Sequence, residues 1–367
     1  MAFPAAHAAT FASIFTKEFD EPDCQDPREF GGKAAGLAGL SAAGLPVAPG
    51  FAIGAAAFRA FLDQSELRAA VAGALASENP DVAAGRLAGE LASAPMPAAV
   101  AAEIARQYQR LCEQAGVVDL DVAVRSSATA EDSAAASFAG EFQTWVDVAG
   151  PEDVLAHVHR CWSSVFAARA IGYARKNGID PAAVEMAVVV QKTVRADAAG
   201  VMFTISPVTG DRSRIVIEAS WGLGLAVVGG EVTPDRWVID KVGLSVLGFT
   251  PGDKRIEYRR GAAPVGVDPA RWAQPCLSDA QVIALARLGK QIERQQGCPQ
   301  DLEFAVEENR PAGEDLVLLQ RRPETVWSAR AHRPRFDAGH GVARWISGAV
   351  TGGLRAVPAG GHSHGDG

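Results

Sequence analysis

The feature that most limits the fold of this chain is a change of texture near Asp180. From about Lys33 to Leu111 the chain is rich in alanine and leucine at helical spacing, broken by "GLPVAPGF" and "ENPD". Alanine favours helix, and the Pro and Gly clusters mark turns between helices. "DVAVRSS" then reads as a strand, and a helix over roughly 151–176 follows, ending in cations and a Gly stop. Beyond Asp180 come short β-rich runs, "MAVVVQKTV", "AGVMFTI", "RIVIEAS", "RWVID", "LSVLGF", "DLEFAVEE" and "DLVLLQRR". One clear helix, about 278–296, interrupts them. Helices gathered first and strands gathered later predict an α+β architecture rather than alternating βαβ units.

A chain of 367 residues is long for a single core and suggests two packed lobes. The expected division is a helix-rich lobe over 1–195, a strand-rich lobe over 196–328, and a loosely ordered Gly/Pro/His-rich tail over 329–367. With 35 basic and 43 acidic residues the net charge is −8, which argues against a broad nucleic-acid surface but allows a local basic pocket. The five cysteines are scattered with no CxxC pair, so reduced thiols are expected rather than a zinc site or disulfide framework. The N-terminus lacks a cationic start ahead of an apolar run, and no stretch is long and apolar enough to span a bilayer. A soluble, cytoplasmic protein is the expectation.

Two nucleotide fingerprints fail on inspection. "FGGKAAGL" carries Gly-Lys, but Pro27 and Ala34 stand where a Walker loop needs Gly and Ser or Thr. "WGLGLAVVGG" offers Gly222 and Gly224, but Val227 occupies the third glycine position of the dinucleotide motif.

What remains still looks built for phosphate. Lys33 follows two glycines at the start of a helix, where backbone N–H groups can hold an anion. Arg125 ends a strand, and a guanidinium can fork onto two phosphate oxygens. "SFAGEFQT" adds Gly140, where backbone can approach a ligand, and Thr144. The plainer alternative is a solvated lysine and an ordinary arginine ion pair. Farther along, "QDLEFAVEE" puts Asp301 and Glu303 on one face of a strand, and "VLLQRRPET" does the same with Gln320 and Arg322. If those strands pair, two carboxylates, a carboxamide and a guanidinium share a patch. Hard oxygens of this kind suit Mg²⁺ already bound to phosphate, whereas an exposed sheet face with salt bridges is the alternative.

On these segments the chain resembles the N-terminal ATP-binding domain of the phosphoenolpyruvate synthase and pyruvate phosphate dikinase family, which includes rifampicin phosphotransferases. The segments are "GGKAAGLAGLSAAGLPVAPGFAI", "VAVRSSATAEDSAAASFAGEFQTW", "CWSSVFAARAIGYARKNGID", "QKTVRADAAGVMFTISPVTGDRSRIVIEASWGLG", "GEVTPDRWVIDK" and "QDLEFAVEE…LVLLQRRPETVWS". They occur in the family's order and run from about Gly31 to Ser328.

The resemblance implies an ATP-grasp fold, two α+β lobes closing on ATP. It implies that Lys33 and Arg125 contact phosphates under a loop bearing Gly140 and Thr144, with Gln191 beside the adenine. Glu303 and Gln320 would hold Mg²⁺, and Arg322 would face the transferring phosphates with Asp301 alongside. Lys33, Arg125 and Arg322 are then the expected catalytic residues. Three positions depart from the family pattern: Leu225 replaces an acid, Ser206 stands where Asp or Asn precedes "PVTG", and Arg321 replaces a small residue.

In the synthase branch the resemblance implies that ATP pyrophosphorylates a histidine and water removes the outer phosphate, leaving AMP, phosphate and phosphohistidine. The chain stops soon after "RPETVWS", so the expected acceptor is a histidine on a separate partner subunit. The small subunit of phenylphosphate synthase, which serves a phenol-type acceptor, is the nearest analogy. The alternatives are half of a split phosphoenolpyruvate synthase with pyruvate as acceptor, a non-catalytic ATP sensor, and an excised domain of a longer protein. The tail "GGHSHGDG" only faintly echoes a phosphohistidine motif at His362 or His364, and His157 and His159 fall inside a helix with structural roles.

Overall fold

A computed structural model describes residues 13–77, 79–129, 144–259 and 263–328. The chain divides into a compact unit ending at Thr325 and a second from Val326 onward, of which only residues 326–328 are described. Gly140, His362 and His364 lie outside the described residues.

Among the described residues the first unit is α+β, with two large antiparallel sheets and one two-stranded one. One large sheet has five strands: β1 (Thr16–Glu18), β2 (Gly50–Ile53), β3 (Val122–Ala128), β4 (Thr144–Val148) and β5 (Met186–Lys192), in the order β1-β2-β5-β3-β4. The chain passes from β5 through Thr193, Val194 and Arg195 into the other sheet. That sheet contains β6 (Ala196–Phe203), β7 (Arg214–Trp221), β8 (Asp235–Asp240) and β9 (Ser245–Thr250). After a small hairpin of β10 (Ile256–Glu257) and β11 (Val265–Gly266), it is completed by β12 (Gln300–Glu307) and β13 (Leu316–Pro323). Its six strands run β13-β12-β6-β7-β8-β9, with β9 exposed at the edge.

Helices cover each sheet for reasons legible in their apolar faces. On the five-stranded sheet, α2 (Ala55–Leu62), α3 (Ser65–Leu75), α4 (Pro80–Ser93), α5 (Ala98–Ala115), α6 (Pro151–Ser164) and α7 (Ala168–Lys176) form the helical layer. Phe58, Phe61, Ile104, Tyr108, Val158 and Trp162 pack there against Val122, Val124, Val188 and Val190 in one core. On the other sheet, Val282, Leu285, Ala286 and Ile292 of the helix Asp279–Gln296 seal Met202, Ile217, Leu302 and Phe304. That helix starts at a full capping box between Ser278 and Gln281, which satisfies two otherwise orphaned backbone donors. A further helix, α1 (Pro27–Ala42), touches β5 and β3 of one sheet and β13 of the other.

The structure departs from the sequence reading in three places. "GLPVAPGF" is not only a turn, because its last two residues open β2. A Cβ on Gly50 would lie 2.3 Å from the Val190 carbonyl oxygen, so this glycine serves close strand approach. The helix expected over 151–176 is two helices, broken at Val165–Ala167. Ser163 and Ser164 donate to the carbonyls of His159 and Cys161 at the break, competing with the backbone ladder. Finally, β3 continues three residues past Arg125, which is therefore mid-strand rather than terminal.

Candidate functional site

A cavity of about 360 Å³ opens between the sheets, beside the Lys192–Val194 link. Lys33, Arg125, Thr144, Gln191, Glu303, Gln320 and Arg322 all line it, although they are drawn from α1, three strands of one sheet and two of the other. The register explains the convergence. In the β12–β13 pair Glu303 lies opposite Gln320 and Asp301 opposite Arg322, so the four side chains share a face. In the β3–β4 pair Arg125 lies opposite the exposed Thr144.

Lys33 is placed by a break in α1. Gly31 adopts φ 73° and ψ 167°, a conformation that suits glycine, and interrupts the helix one turn in. A Cβ there would lie 2.2 Å from the Ser127 carbonyl oxygen. The Ser127 hydroxyl donates to the Phe30 carbonyl at 3.1 Å and accepts from the Lys33 N–H at 3.2 Å. The restarted helix is thereby pinned to β3 two residues beyond Arg125, and both cations reach one cavity.

Arg125 is the centre of the polar end. Its Nη2 donates to Glu303 Oε2 at 2.8 Å and to Gln320 Oε1 at 2.5 Å. Its Nη1 donates to the Leu319 carbonyl at 2.9 Å and Gln191 Oε1 at 3.4 Å. The Nε of the same guanidinium is buried without a partner among the described residues. Gln191 is itself buried, and its amide donates to the Ala48 carbonyl at 3.3 Å. The opposite wall is apolar, built from Val194, Ala196, Ala199, Leu223, Leu225 and Val228. A cavity with cations and hard oxygens at one end and an apolar slot at the other suits a ligand with a polyanionic tail and a flat, weakly polar head.

Glu303 Oε2 and Gln320 Oε1 point at a single guanidinium nitrogen, so two hard oxygens already converge on one cationic position. That donor chemistry fits Mg²⁺, which takes few protein ligands and completes its shell with phosphate oxygens and water. Among the described residues no group of three or more His, Cys, Asp or Glu could cage a metal alone.

Asp301 does not line the cavity, although it lies opposite Arg322 in the β12–β13 register. Its Oδ1 is buried with no hydrogen-bond partner among the described residues. Burial pushes its carboxyl up to about 6, opposed by the charge of Arg322 and reinforced by that of Glu324.

The three departures noted in sequence have physical readings. Leu225 adds an apolar side chain to the cavity wall. The Ser206 hydroxyl accepts from the Thr209 N–H at 3.2 Å and its hydroxyl at 2.9 Å, holding the turn as an Asp or Asn oxygen can. Arg321 lies on the other face of β13, beneath α1, where its Nη1 donates to Gln300 Oε1 at 3.0 Å. Sequence reasoning missed Ser127, the Lys192–Val194 link and the Leu223–Val228 roof. Only the adjacency of "RSS" to Arg125 offered a signal for Ser127. His157 and His159 both sit on α6, away from the cavity.

Residues 28–339 match the family model described as pyruvate phosphate dikinase, AMP/ATP-binding domain. A probable phosphoenolpyruvate synthase of Methanothermobacter thermautotrophicus is 42% identical over 319 residues, covering 84% of this chain and 46% of that protein. One from Staphylothermus marinus is 38% identical over 350 residues, covering 87% and 42%. A rifampicin phosphotransferase of Streptomyces sviceus is 37% identical over 319 residues, covering 85% and 36%. The chain thus spans less than half the length of these relatives.

Proposed function

The chain belongs to the pyruvate phosphate dikinase AMP/ATP-binding family, and from that premise we propose that it binds Mg-ATP in the cavity and phosphorylates a histidine lying outside this fold. The observation that carries the reading is the convergence of Arg125, Glu303 and Gln320 at one end of a cavity that also has an apolar wall. The two sheets are read as the lobes of an ATP-grasp fold, dividing near Thr193–Arg195. Among the described residues no helix is long and apolar enough to cross a membrane.

In this reading the adenine occupies the apolar slot, with Gln191 offering a fixed amide at its edge. Lys33, Arg125 and Arg322 grip the phosphates, and Thr144 faces them from β4. Mg²⁺, held by Glu303 and Gln320, supplies charge neutralisation at the phosphate oxygens when bound. The three cations offset charge spread over the oxygens of the transferring group, while lobe closure excludes water and aligns donor with acceptor. The imidazole nitrogen bonds to the β-phosphorus as the bond from that phosphorus to the AMP oxygen breaks. Hydrolysis of the outer phosphate then leaves phosphohistidine, AMP and phosphate. The acceptor histidine is read as belonging to a partner subunit, which passes the phosphoryl group to a phenol-type hydroxyl. The names of the relatives favour the alternative in which pyruvate is that acceptor.

The test is incubation of the chain with Mg²⁺ and ATP labelled on the β-phosphate, alone and with a soluble extract of its host. Label on another protein, with AMP formed and both lost in Glu303→Gln, supports the reading. ATP binding with no label on any protein would instead indicate a sensor.

A further inference from the structure

Arg125 already sits where a metal would. Its Nη2 occupies the position on which Glu303 Oε2 and Gln320 Oε1 converge, while Nη1 is tied to the Leu319 carbonyl. The strand carrying it is paired on both sides, with β5 and with β4, so the backbone at this position is fixed and only the side chain can leave. The side chain is also incompletely engaged, since its buried Nε has no partner among the described residues. A guanidinium so held has a donor to spare for a stronger anion.

From this we propose that Arg125 determines the ionic specificity of the site, making it select the metal–nucleotide complex and reject the free divalent cation. The inference rests on the reading of Glu303 and Gln320 as the metal-holding pair. A free dication approaching those oxygens meets a positive charge in hydrogen-bond contact with both, so it must displace Arg125 into a cavity whose described lining offers no other carboxylate. Like-charge repulsion and the loss of a partly buried ion pair both oppose it. A nucleotide removes the obstacle. Its phosphates present several acceptors to the guanidinium, including one for the orphaned Nε, and draw it away from the carboxylate. The oxygens are freed as the phosphate-bound metal arrives. Arg125 therefore serves as the counter-ion of Glu303 in the empty site and of phosphate in the filled one. The metal ligands never face the cavity as an unpaired anion.

The experiment is a Mn²⁺ titration followed by electron paramagnetic resonance, without nucleotide and with a non-hydrolysable ATP analogue. It uses the wild-type chain, Arg125→Met, Arg125→Lys, Glu303→Gln and the Arg125→Met/Glu303→Gln double variant. Without nucleotide, Arg125→Met should bind Mn²⁺ roughly tenfold or more tightly than wild type. Arg125→Lys should stay weak, and the double variant should lose the gain. With the analogue, wild type should bind Mn²⁺ tightly in a manner that depends on Glu303. Should Arg125→Met fold poorly, Arg125→Gln asks the same question with a polar side chain. Equal free-metal affinity in wild type and the neutral variants, with analogue-dependent binding still sensitive to Glu303, overturns this inference and leaves the proposed function standing. Analogue-dependent binding indifferent to Glu303 overturns both.

Discussion

Arg125 on β3 and Glu303 on β12 meet at 2.8 Å, one side chain from each sheet, in the wall of the cavity. The pair is only slightly exposed, and removing the negative partner leaves Arg125 with carbonyl and carboxamide acceptors alone. On the proposed function, Glu303→Gln is expected to lower phosphoryl transfer roughly 10³-fold, because Glu303 is the charged member of the proposed metal-holding pair. AMP binding, which needs no metal, should fall far less. Comparing AMP release from ATP with equilibrium binding of AMP checks this, and equal losses in both would place Glu303 in a merely structural role.

The contact of α1 with β13 yields a second prediction. A Cβ on Gly36 would lie 2.9 Å from the Arg321 carbonyl oxygen, a backbone atom that cannot swing aside. Gly36→Val should push α1 off β13 and cost about 1–3 kcal/mol of stability. Because Lys33 rides on the same helix, ATP affinity should weaken more than AMP affinity. Thermal melts and paired titrations of the two nucleotides test both parts.

Asp301 gives a pH-dependent expectation. Its carboxyl titrates near about 6 in the folded chain, raised from 3.8, so the native state binds its proton more tightly than the unfolded state does. The stabilisation is complete below about pH 4 and lost as pH rises through about 6. Asp301→Asn carries no such penalty. It should be more stable than wild type at pH 7–8 by up to about 3 kcal/mol, with the gap vanishing below about pH 4. Denaturant midpoints across this range would decide, and a gap independent of pH would contradict the assignment.

A fourth prediction concerns a wholly buried ion pair in the second sheet. Asp235 accepts from the Lys254 ammonium at 2.5 Å and from the N–H groups of Gly252 and Cys276, each at 2.8 Å, with both side chains fully enclosed. Lys254→Met alone strands the carboxylate and should cost about 3–5 kcal/mol, whereas Asp235→Leu/Lys254→Met should cost less than the sum of the single changes. A double-mutant cycle by chemical denaturation measures the difference.

Much of this architecture was legible from period and composition. Strands such as β5, β7 and β12 are uninterrupted β-branched or alternating runs, and the capped helix Asp279–Gln296 announces itself at Ser278 and Gln281. That Asp301 and Glu303 share one face of β12, and Gln320 and Arg322 one face of β13, followed from period 2, whereas the register that sets Asp301 opposite Arg322 and Glu303 opposite Gln320 is read only from the structure. Strands β1, β2, β4, β10 and β11 escaped because they are short, and β2 because its glycine serves close packing rather than a turn. The role of Ser127 was invisible, since a hydroxyl that joins a helix start to a strand depends on partners distant in sequence. For the same reason Asp301 could be set on the right face, while its absence from the cavity wall could not be read.

The double attachment of α1 carries a consequence for how the protein is made. The helix precedes both sheets' main strands in the chain, yet its Gly36 rests on the carbonyl of Arg321, far along the chain in β13. Contacts of such sequence separation form late, because the intervening loop must close before they stabilise anything. During synthesis the helical layer and the five-stranded sheet can assemble as soon as β5 leaves the ribosome. Strand β13, with Gln320 and Arg322, emerges only after the other described elements that line the cavity. A nascent chain interrupted before β13 would thus hold a folded first half with no working site, and its nucleotide affinity would arise in one step when that strand is released.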